Sequence, residues 1–376
     1  MIYLDNAATS WPKPPEVIRA MAGTLEKIGA NPGRSGHRLS LCAGRVVQSC
    51  REELAQMLHM EQPERVIFTG SCTEAINLAI GGLLHRGDEV IVSHAEHNAV
   101  MRPLTRWAKS GQITLRTMHP DETGVIHPET LRRMITPRTG LVIVCHASNV
   151  TGVIQPAAQL GALCRAHSVP CLVDAAQTAG MEDVSPSALN ADLVAMPGHK
   201  GLLGPHGVGV LALGGSIEPE PLMLGGTGSM SESLEQPRML PDRYESGTMN
   251  LPGIAGLLAG VRFVRQRQAE ISQYEKALAM RLRGHLAQLA GVRVLGHPDA
   301  PRVGVTSFVP ENADPGEIAD GLDRSGVAVR SGLHCAPSVH AWLGTLSSGA
   351  VRASVGLYNT EREIDDTALL LERMLR

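Results

Sequence analysis

Aromatic side chains make up only 3% of this 376-residue chain, with three Trp, four Tyr and three Phe. That is too few for the base-stacking platforms that hold single-stranded nucleic acid. Neither sign of charge is in excess: 34 Lys and Arg stand against 37 Asp and Glu, a formal net charge of −3. The basic footprint of a general nucleic-acid or membrane-surface binder is therefore missing, and a small-molecule partner is expected. No apolar run reaches the ~18 residues of a membrane span. The opening MIYLDNAATSWPKPP lacks both the basic segment and the apolar core of a signal peptide, so a cytoplasmic address is expected. The seven cysteines (Cys42, Cys50, Cys72, Cys145, Cys164, Cys171, Cys335) include no C-x-x-C pair. Neither a disulfide framework nor a metal site is expected from them, and a reducing compartment fits.

What is present is apolar and punctuated: 43% hydrophobic residues, 40 Gly and 24 Pro. At about 150 residues per domain the length suggests two domains. Apolar runs recur at 65–69 (RVIFT), 89–93 (EVIVS), 113–117 (ITLRT), 141–148 (LVIVCHAS), 169–176 (VPCLVDAA), 191–196 (ADLVAM) and 207–213 (GVGVLAL). Most are continuous, as strands covered on both faces should be. Helical patterns fill the spaces at 73–85, 97–109, 128–134 and 156–167. This alternation predicts an α/β fold with a mostly parallel, doubly wound, seven-stranded sheet. Ligands of such sheets sit at the carboxyl ends of the strands.

A second region begins near Leu251 with one long helical pattern to about Leu289. Short strand candidates follow at 292–296, 304–309, 327–331 and 350–355, then a terminal helix from Glu361. The expected organisation is a large α/β domain over 14–255 and a smaller α+β domain over 256–376 that also takes in 1–13. The polar stretch 214–237 reads as a long loop, either disordered or functional.

Only five lysines occur, Lys13, Lys27, Lys109, Lys200 and Lys276. Four fall in the N-terminal loop or on predicted helix surfaces and read as solvated charges. Lys200 lies instead among apolar residues and glycines in 196-MPGHKGLLGPHGVGV, a setting that lowers an amine's pKa and makes it a nucleophile; a solvent-seeking hinge lysine is the alternative. Asp174 closes a buried strand, where an unpaired carboxylate costs several kcal/mol. It needs a cation, and the protonated ring nitrogen of pyridoxal phosphate is one; a helix N-cap is the plainer reading. Gln177 lies three residues on. The segment 70-GSCTEAINLAI starts a helix whose free amides and dipole suit a phosphate, although such starts also cap ordinary helices. His97 follows a strand and is a candidate to lie against a cofactor ring. Cys335, in 330-RSGLHCAP, has Arg330 and His334 nearby to favour a thiolate. Arg352 sits on a short strand, either facing a carboxylate or exposed at a sheet edge.

Taken in order, 3-YLDNAAT, 94-HAEHNAV, 146-HASNVTG, 173-VDAAQ, 198-GHKGLLGPHGVG, 244-YESGTMN, 330-RSGLHCAP and 352-RASVGLYNT resemble the cysteine desulfurase branch of the class V aminotransferase family over essentially the whole chain. The resemblance implies a fold type I pyridoxal 5'-phosphate enzyme. In it Lys200 carries the cofactor as a Schiff base, Asp174 pairs with the pyridinium, Gln177 contacts the ring oxygen, and His97 stacks on the ring and assists proton transfers. Cys72, Thr73 and His199 would hold the phosphate, joined by Thr248 from the second subunit of a homodimer. Asn149, Arg352, Arg330 and His37 would bind the substrate, L-cysteine or L-selenocysteine. Cys335 would take the substrate sulfur as a persulfide, leave alanine, and pass the sulfur to an acceptor protein.

Some positions depart from the family pattern. Pro197 stands where a phosphate-binding serine is frequent, Leu333 where a second histidine often precedes the nucleophile, and Gly33 replaces a histidine before Arg34. Two rival readings remain: a selenocysteine lyase or another class V lyase or aminotransferase, and a non-catalytic scaffold of the same fold.

Overall fold

The structure, a computed structural model, describes residues 1–33 and 35–375; Arg34 and Arg376 lie outside them. The strands are β1 (Ile2–Tyr3), β2 (Val66–Thr69), β3 (Glu89–Ser93), β4 (Thr114–Met118), β5 (Thr139–Cys145), β6 (Cys171–Asp174), β7 (Leu193–Pro197) and β8 (Gly209–Leu213). The second part adds β9 (Val292–Val294), β10 (Val305–Pro310), β11 (Val327–Ala328), β12 (Arg330–Gly332) and β13 (Ala350–Ser354).

Each of the seven apolar runs is a strand of one sheet, in the order β2-β8-β7-β6-β5-β3-β4. The pairs from β7 through β4 are parallel, and β8 enters antiparallel between β7 and β2. The inner strands are mostly apolar because both faces are covered, whereas the edge strand β4, TLRTM, is only partly buried. Val142, Val144, Val173 and Val194 point into one buried layer, while Leu141, Ile143, Leu172 and Leu193 point into the other. Helices Cys72–Leu83 and Asn98–Lys109 pack on the second layer, and Arg38–Met57, Ala157–Ala166 and Leu251–Arg265 on the first.

The remaining strands form a four-stranded antiparallel sheet, β12-β13-β10-β9, and a two-stranded parallel pair, β1-β11. Leu4, Phe308, Val351 and Ile364 share its core with helices Gln268–Gln288 and Glu361–Leu375. The terminal helix opens on a capping box: Thr360 Oγ1 accepts from the Glu363 amide at 3.2 Å, and Glu363 Oε2 accepts from the Thr360 amide at 3.0 Å.

Two expected elements are divided. The pattern from Leu251 to Leu289 is two helices, Leu251–Arg265 and Gln268–Gln288. The first belongs to the layer under the large sheet and the second to the core of the small one, so a single straight rod does not serve both. The run 327–331 likewise splits at Val329, with β11 pairing to β1 and β12 to β13. The loop 214–237 is anchored at Pro219 and Glu220. Glu220 donates its amide to the Gly82 carbonyl at 2.9 Å, and the Tyr244 hydroxyl donates to the Pro219 carbonyl at 2.8 Å.

Candidate active site

A cleft of about 860 Å³ opens at the carboxyl ends of the parallel strands. Cys72, Thr73, His97, Asn149, Asp174, Gln177, His199, Lys200, Arg330 and Arg352 all line it. Nearly every expected site residue is thus brought together from positions scattered over 280 residues, from 72 to 352.

One wall is the start of helix Cys72–Leu83. Ser71 caps it, its hydroxyl accepting from the Glu74 amide at 3.2 Å. The amides of Cys72 and Thr73 have no partner within the helix and face an anion-binding position. This helix start lies directly on β8, where a Cβ at Gly209 would come within 2.3 Å of the Ser71 carbonyl carbon. Only glycine permits that approach. Pro197, the last residue of β7, lines the same cleft and offers it no donor.

The floor carries Asp174, which is 4% exposed. Its Oδ1 accepts from the Ala176 amide at 2.9 Å, with the Cys72 thiol 4.0 Å away. No ion pair among the described residues includes it. Burial therefore pushes its carboxyl up, against the pull of the Ala176 amide and the Lys200 charge. Lys200 follows β7 after Gly198 and His199, and burial lowers its amine, with Asp174 and Cys72 opposing and Arg352 adding to the effect. That direction is the one a nucleophilic amine requires, and the Lys200 side chain is half-buried.

Burial disfavours the charged form of the cleft histidines His97, His199 and His334. His97 is lowered to about 4 by burial and then by Lys200 and the nearby arginines. Near pH 7 roughly one ring in a thousand is protonated. Its Nδ1 accepts from the Ala99 amide at 3.0 Å and caps helix Asn98–Lys109, which leaves the proton on Nε2. The capping role and the position in the cleft coexist in one ring. His199 is lowered to about 3, chiefly by burial, its Nδ1 has no partner, and it stacks on His206 with ring centres 4.9 Å apart.

Arg352 is central rather than at an edge. It lies on β13 between β12 and β10 and is 1% exposed, so the edge-strand reading fails. The carboxylate it faces within the chain is that of Asp5, at 2.7 Å. Nη1 donates to the Asn149 carbonyl at 3.2 Å, and Nε is buried without a partner. Asn149 donates from Nδ2 to the His334 carbonyl at 2.6 Å, leaving its own Oδ1 unpartnered.

Cys335 and His334 both hold left-handed backbone angles, φ +57° and +51°, a conformation that costs non-glycine residues energy. The expectation that both Arg330 and His334 stand as cations beside the sulfur is corrected for His334. Arg330 Nη2 lies 3.9 Å from Cys335 Sγ. His334 turns inward, 3% exposed, with Nδ1 3.5 Å from His340 Nε2, and burial lowers it to about 3. It is uncharged and offers the sulfur no cation.

Three expected residues do not line the cleft in one copy of the chain, and the first of them, Cys335, lines a neighbouring groove that shares Thr73, His97 and Ala99 with it. Thr248 lines a different cleft with Gly70, Glu74 and Tyr244. His37 is exposed, and its Nδ1 caps helix Arg38–Met57 by accepting from the Ser40 amide at 3.3 Å.

The sequence reading missed an N-terminal clamp. Lys13, expected to be solvated, donates to the His199 carbonyl at 2.8 Å and to Ser10 Oγ at 2.7 Å. Ser10 in turn donates to the Lys200 carbonyl at 2.9 Å. Burial lowers Lys13 to about 8. The hint was Lys13 lying between two prolines, where the chain is stiff. Glu96 was missed too: fully buried, it accepts from Ser93 Oγ at 2.6 Å and from the Cys145 amide at 2.7 Å, and burial raises it to about 8.

Comparison with known proteins places nearly the whole chain in one family. The model of the family described as Aminotransferase class-V matches residues 2–367. A protein of Methanothermobacter thermautotrophicus named "Probable cysteine desulfurase" is 36% identical over 382 residues, covering 99% of this chain and 94% of its own. The cysteine desulfurase of Salmonella agona is 32% identical over 388 residues, covering 100% and 94%. The apo structure of a cysteine desulfurase from Thermococcus onnurineus NA1 superposes with a TM-score of 0.94 at 33% identity, covering 100% of this chain and 94% of that one.

Proposed function

The chain belongs to the class-V aminotransferase family, and we propose that it is a pyridoxal 5'-phosphate-dependent cysteine desulfurase. It would take L-cysteine to L-alanine and leave the sulfur as a persulfide on Cys335. The observation that carries this reading is the shared cleft: Lys200 and Asp174 form its floor, Arg330 lines it, and the Arg330 guanidinium lies 3.9 Å from the Cys335 sulfur.

The donor set fits the cofactor. Asp174 is a buried carboxylate with no cationic side chain bonded to it, the partner a protonated ring nitrogen requires. The amides of Cys72 and Thr73 present free donors to a phosphate, and His199 lines the same cleft, while Pro197 contributes no hydroxyl there. When bound, pyridoxal phosphate supplies an aldehyde that captures amines and a ring that stabilises negative charge at the substrate Cα.

The rest falls to this chain's residues. Lys200, with its lowered pKa, takes and returns the Cα proton at Nζ. Neutral His97, its Nδ1 taken by the Ala99 amide, donates from Nε2 without adding positive charge. Arg352, braced by Asp5, offers its unpartnered Nε to the substrate carboxylate, and the Asn149 amide lies beside it. Cys335 attacks the substrate sulfur as thiolate: an S–S bond forms, the Cβ–S bond breaks, and its electron pair stays on Cβ, where protonation completes alanine. Thr248 lines another cleft of this chain, so its expected place at the phosphate belongs to the proposed homodimer, with a second copy supplying it.

Mass spectrometry of the loaded protein after exposure to L-cysteine should show one added sulfur on Cys335. Cys335→Ala should lose that mass and alanine formation together, and Lys200→Ala should lose the cofactor's absorbance. Undiminished sulfide from cysteine in Cys335→Ala would overturn the persulfide route and favour a lyase; a protein that never takes up the cofactor would favour a scaffold.

A further inference from the structure

A groove of about 1,560 Å³ runs along helix Asn98–Lys109, from the Cys335 loop to Gln112. Cys335 lines its inner end, and Thr73, His97 and Ala99 line both this groove and the Lys200 cleft. The two spaces share a wall, with the nucleophile on the groove side of it.

The groove has one sign of charge. Arg102 and Arg106 line it, four residues apart and so on one face of the helix. Both are exposed, and no Asp or Glu lines the groove. Neither forms an ion pair among the described residues, whereas Arg262 and Arg265 on another helix share Glu53 at 2.8 and 3.0 Å. Two uncompensated guanidiniums beside a nucleophile select an anionic visitor and speed its arrival.

The dimensions favour a chain over a small thiol. Residues 98–109 span roughly 18 Å at 1.5 Å per residue, a length that five or six extended residues follow at about 3.4 Å each. Arg102 and Arg106 are roughly 6 Å apart along the axis, close to the spacing of alternate side chains on an extended strand.

Resting on the desulfurase reading for the sulfur it receives, we propose that this groove seats an acidic polypeptide segment carrying a cysteine thiol, the acceptor of the Cys335 persulfide. The acceptor thiolate attacks the outer sulfur, a new S–S bond forms, and the bond to Cys335 breaks. Its electron pair restores the Cys335 thiolate, and the acceptor leaves as the persulfide. No oxidant or reductant is consumed.

The test uses the loaded enzyme and three synthetic peptides, each with one cysteine, flanked by glutamates, by glycine and serine, or by lysines. Transfer of sulfur from Cys335 is followed by mass spectrometry after a pulse of L-cysteine. The acidic peptide should react about tenfold faster than the lysine peptide at low salt, with the advantage fading at high salt. The double variant Arg102→Glu, Arg106→Glu should reverse that order while loading of Cys335 from cysteine stays within about threefold of wild type. Equal rates for all three peptides, or a double variant that keeps the wild-type order, overturns the proposal. Faster reaction of free acidic thiols than of the acidic peptide assigns the groove to a small molecule and overturns it equally. Should Cys335 never gain sulfur, the desulfurase reading fails; fluorescence anisotropy of the labelled acidic peptide on wild type and on the double variant then decides the groove alone. Binding lost in the variant supports it, and equal binding overturns it.

Discussion

Asp5 holds Arg352 at 2.7 Å, joining residues 347 apart in the chain, and the guanidinium it holds is 1% exposed. An arginine buried this deeply needs a countercharge, and Asp5 supplies one from the segment that follows β1. Nη2 is committed to Asp5 and Nη1 to the Asn149 carbonyl, leaving Nε as the unpartnered donor.

Arg352→Lys keeps the charge and loses the planar fork, so one ammonium must serve Asp5 and the substrate together. We expect KM for L-cysteine to rise about tenfold or more with a smaller change in kcat, since roughly 1.4 kcal/mol of binding is a factor of ten. Asp5→Asn should move KM the same way while Arg352 remains. Steady-state alanine production checks both, and unchanged KM in both variants would remove Arg352 from substrate binding.

Asp174→Asn separates stability from activity. Burial raises the Asp174 carboxyl in the chain alone, so its ionised form works against folding above its ordinary titration range, and the amide removes that penalty. The cofactor-free variant should melt no lower than wild type near pH 8, while the loaded variant should lose at least about a hundredfold in turnover. Calorimetry of the cofactor-free protein and alanine assays of the loaded one report the two halves.

Glu275 predicts a pH slope. Burial raises it from 4.5 to about 8, against a Leu357 amide that favours the charge. The folded chain therefore keeps this proton up to about pH 8, whereas an unfolded chain gives it up near 4.5. The stabilisation is full below 4.5 and lost as the pH rises through 8, and Glu96 acts with the same sign. Glu275→Gln should flatten the slope, its melting temperature gaining on wild type by a few degrees between about pH 5 and about pH 8.5. Thermal melts at the two pH values measure it; a parallel pair of curves would contradict the assignment.

Glu245 is expected to matter to folding rather than to chemistry, although it lies in the motif 244-YESGTMN. It accepts from Arg51 at 2.9 and 2.7 Å and from the Phe68 amide at 2.7 Å, while Arg51 lies over the Phe68 ring at 4.7 Å. Glu245→Leu leaves the Arg51 charge buried alone and should cost about 3–5 kcal/mol in urea unfolding.

The large sheet was legible because its signal is local. Continuous apolar runs at 65–69, 141–148 and 191–196 announce strands covered on both faces, and the helix over Pro128–Met134 falls where its pattern ends. The break near Gln266 was not legible, since the apolar period continues across it and only the two separate cores demand a bend. The cleft residues were readable as types at loop positions after strands. Their partners were not: Lys13 finds the His199 carbonyl 186 residues away, and Arg352 finds Asp5 347 residues away. His334 failed for another reason, because its neighbour in sequence is Cys335 while its neighbour in space is His340.

The pairing of Ile2 with Val327 and Tyr3 with Ala328 sets an order of events on the ribosome. The segment holding Asp5 emerges early, yet its mates are synthesised more than 300 residues later. Until then Ile2, Tyr3 and Asp5 lack those mates, although Ser10 and Lys13 can already dock on the Lys200 and His199 carbonyls and the seven-stranded layer can close. The guanidinium of Arg352 acquires its countercharge among the final events of assembly, so a nascent chain stalled before residue 327 would hold a finished scaffold with its substrate grip still open.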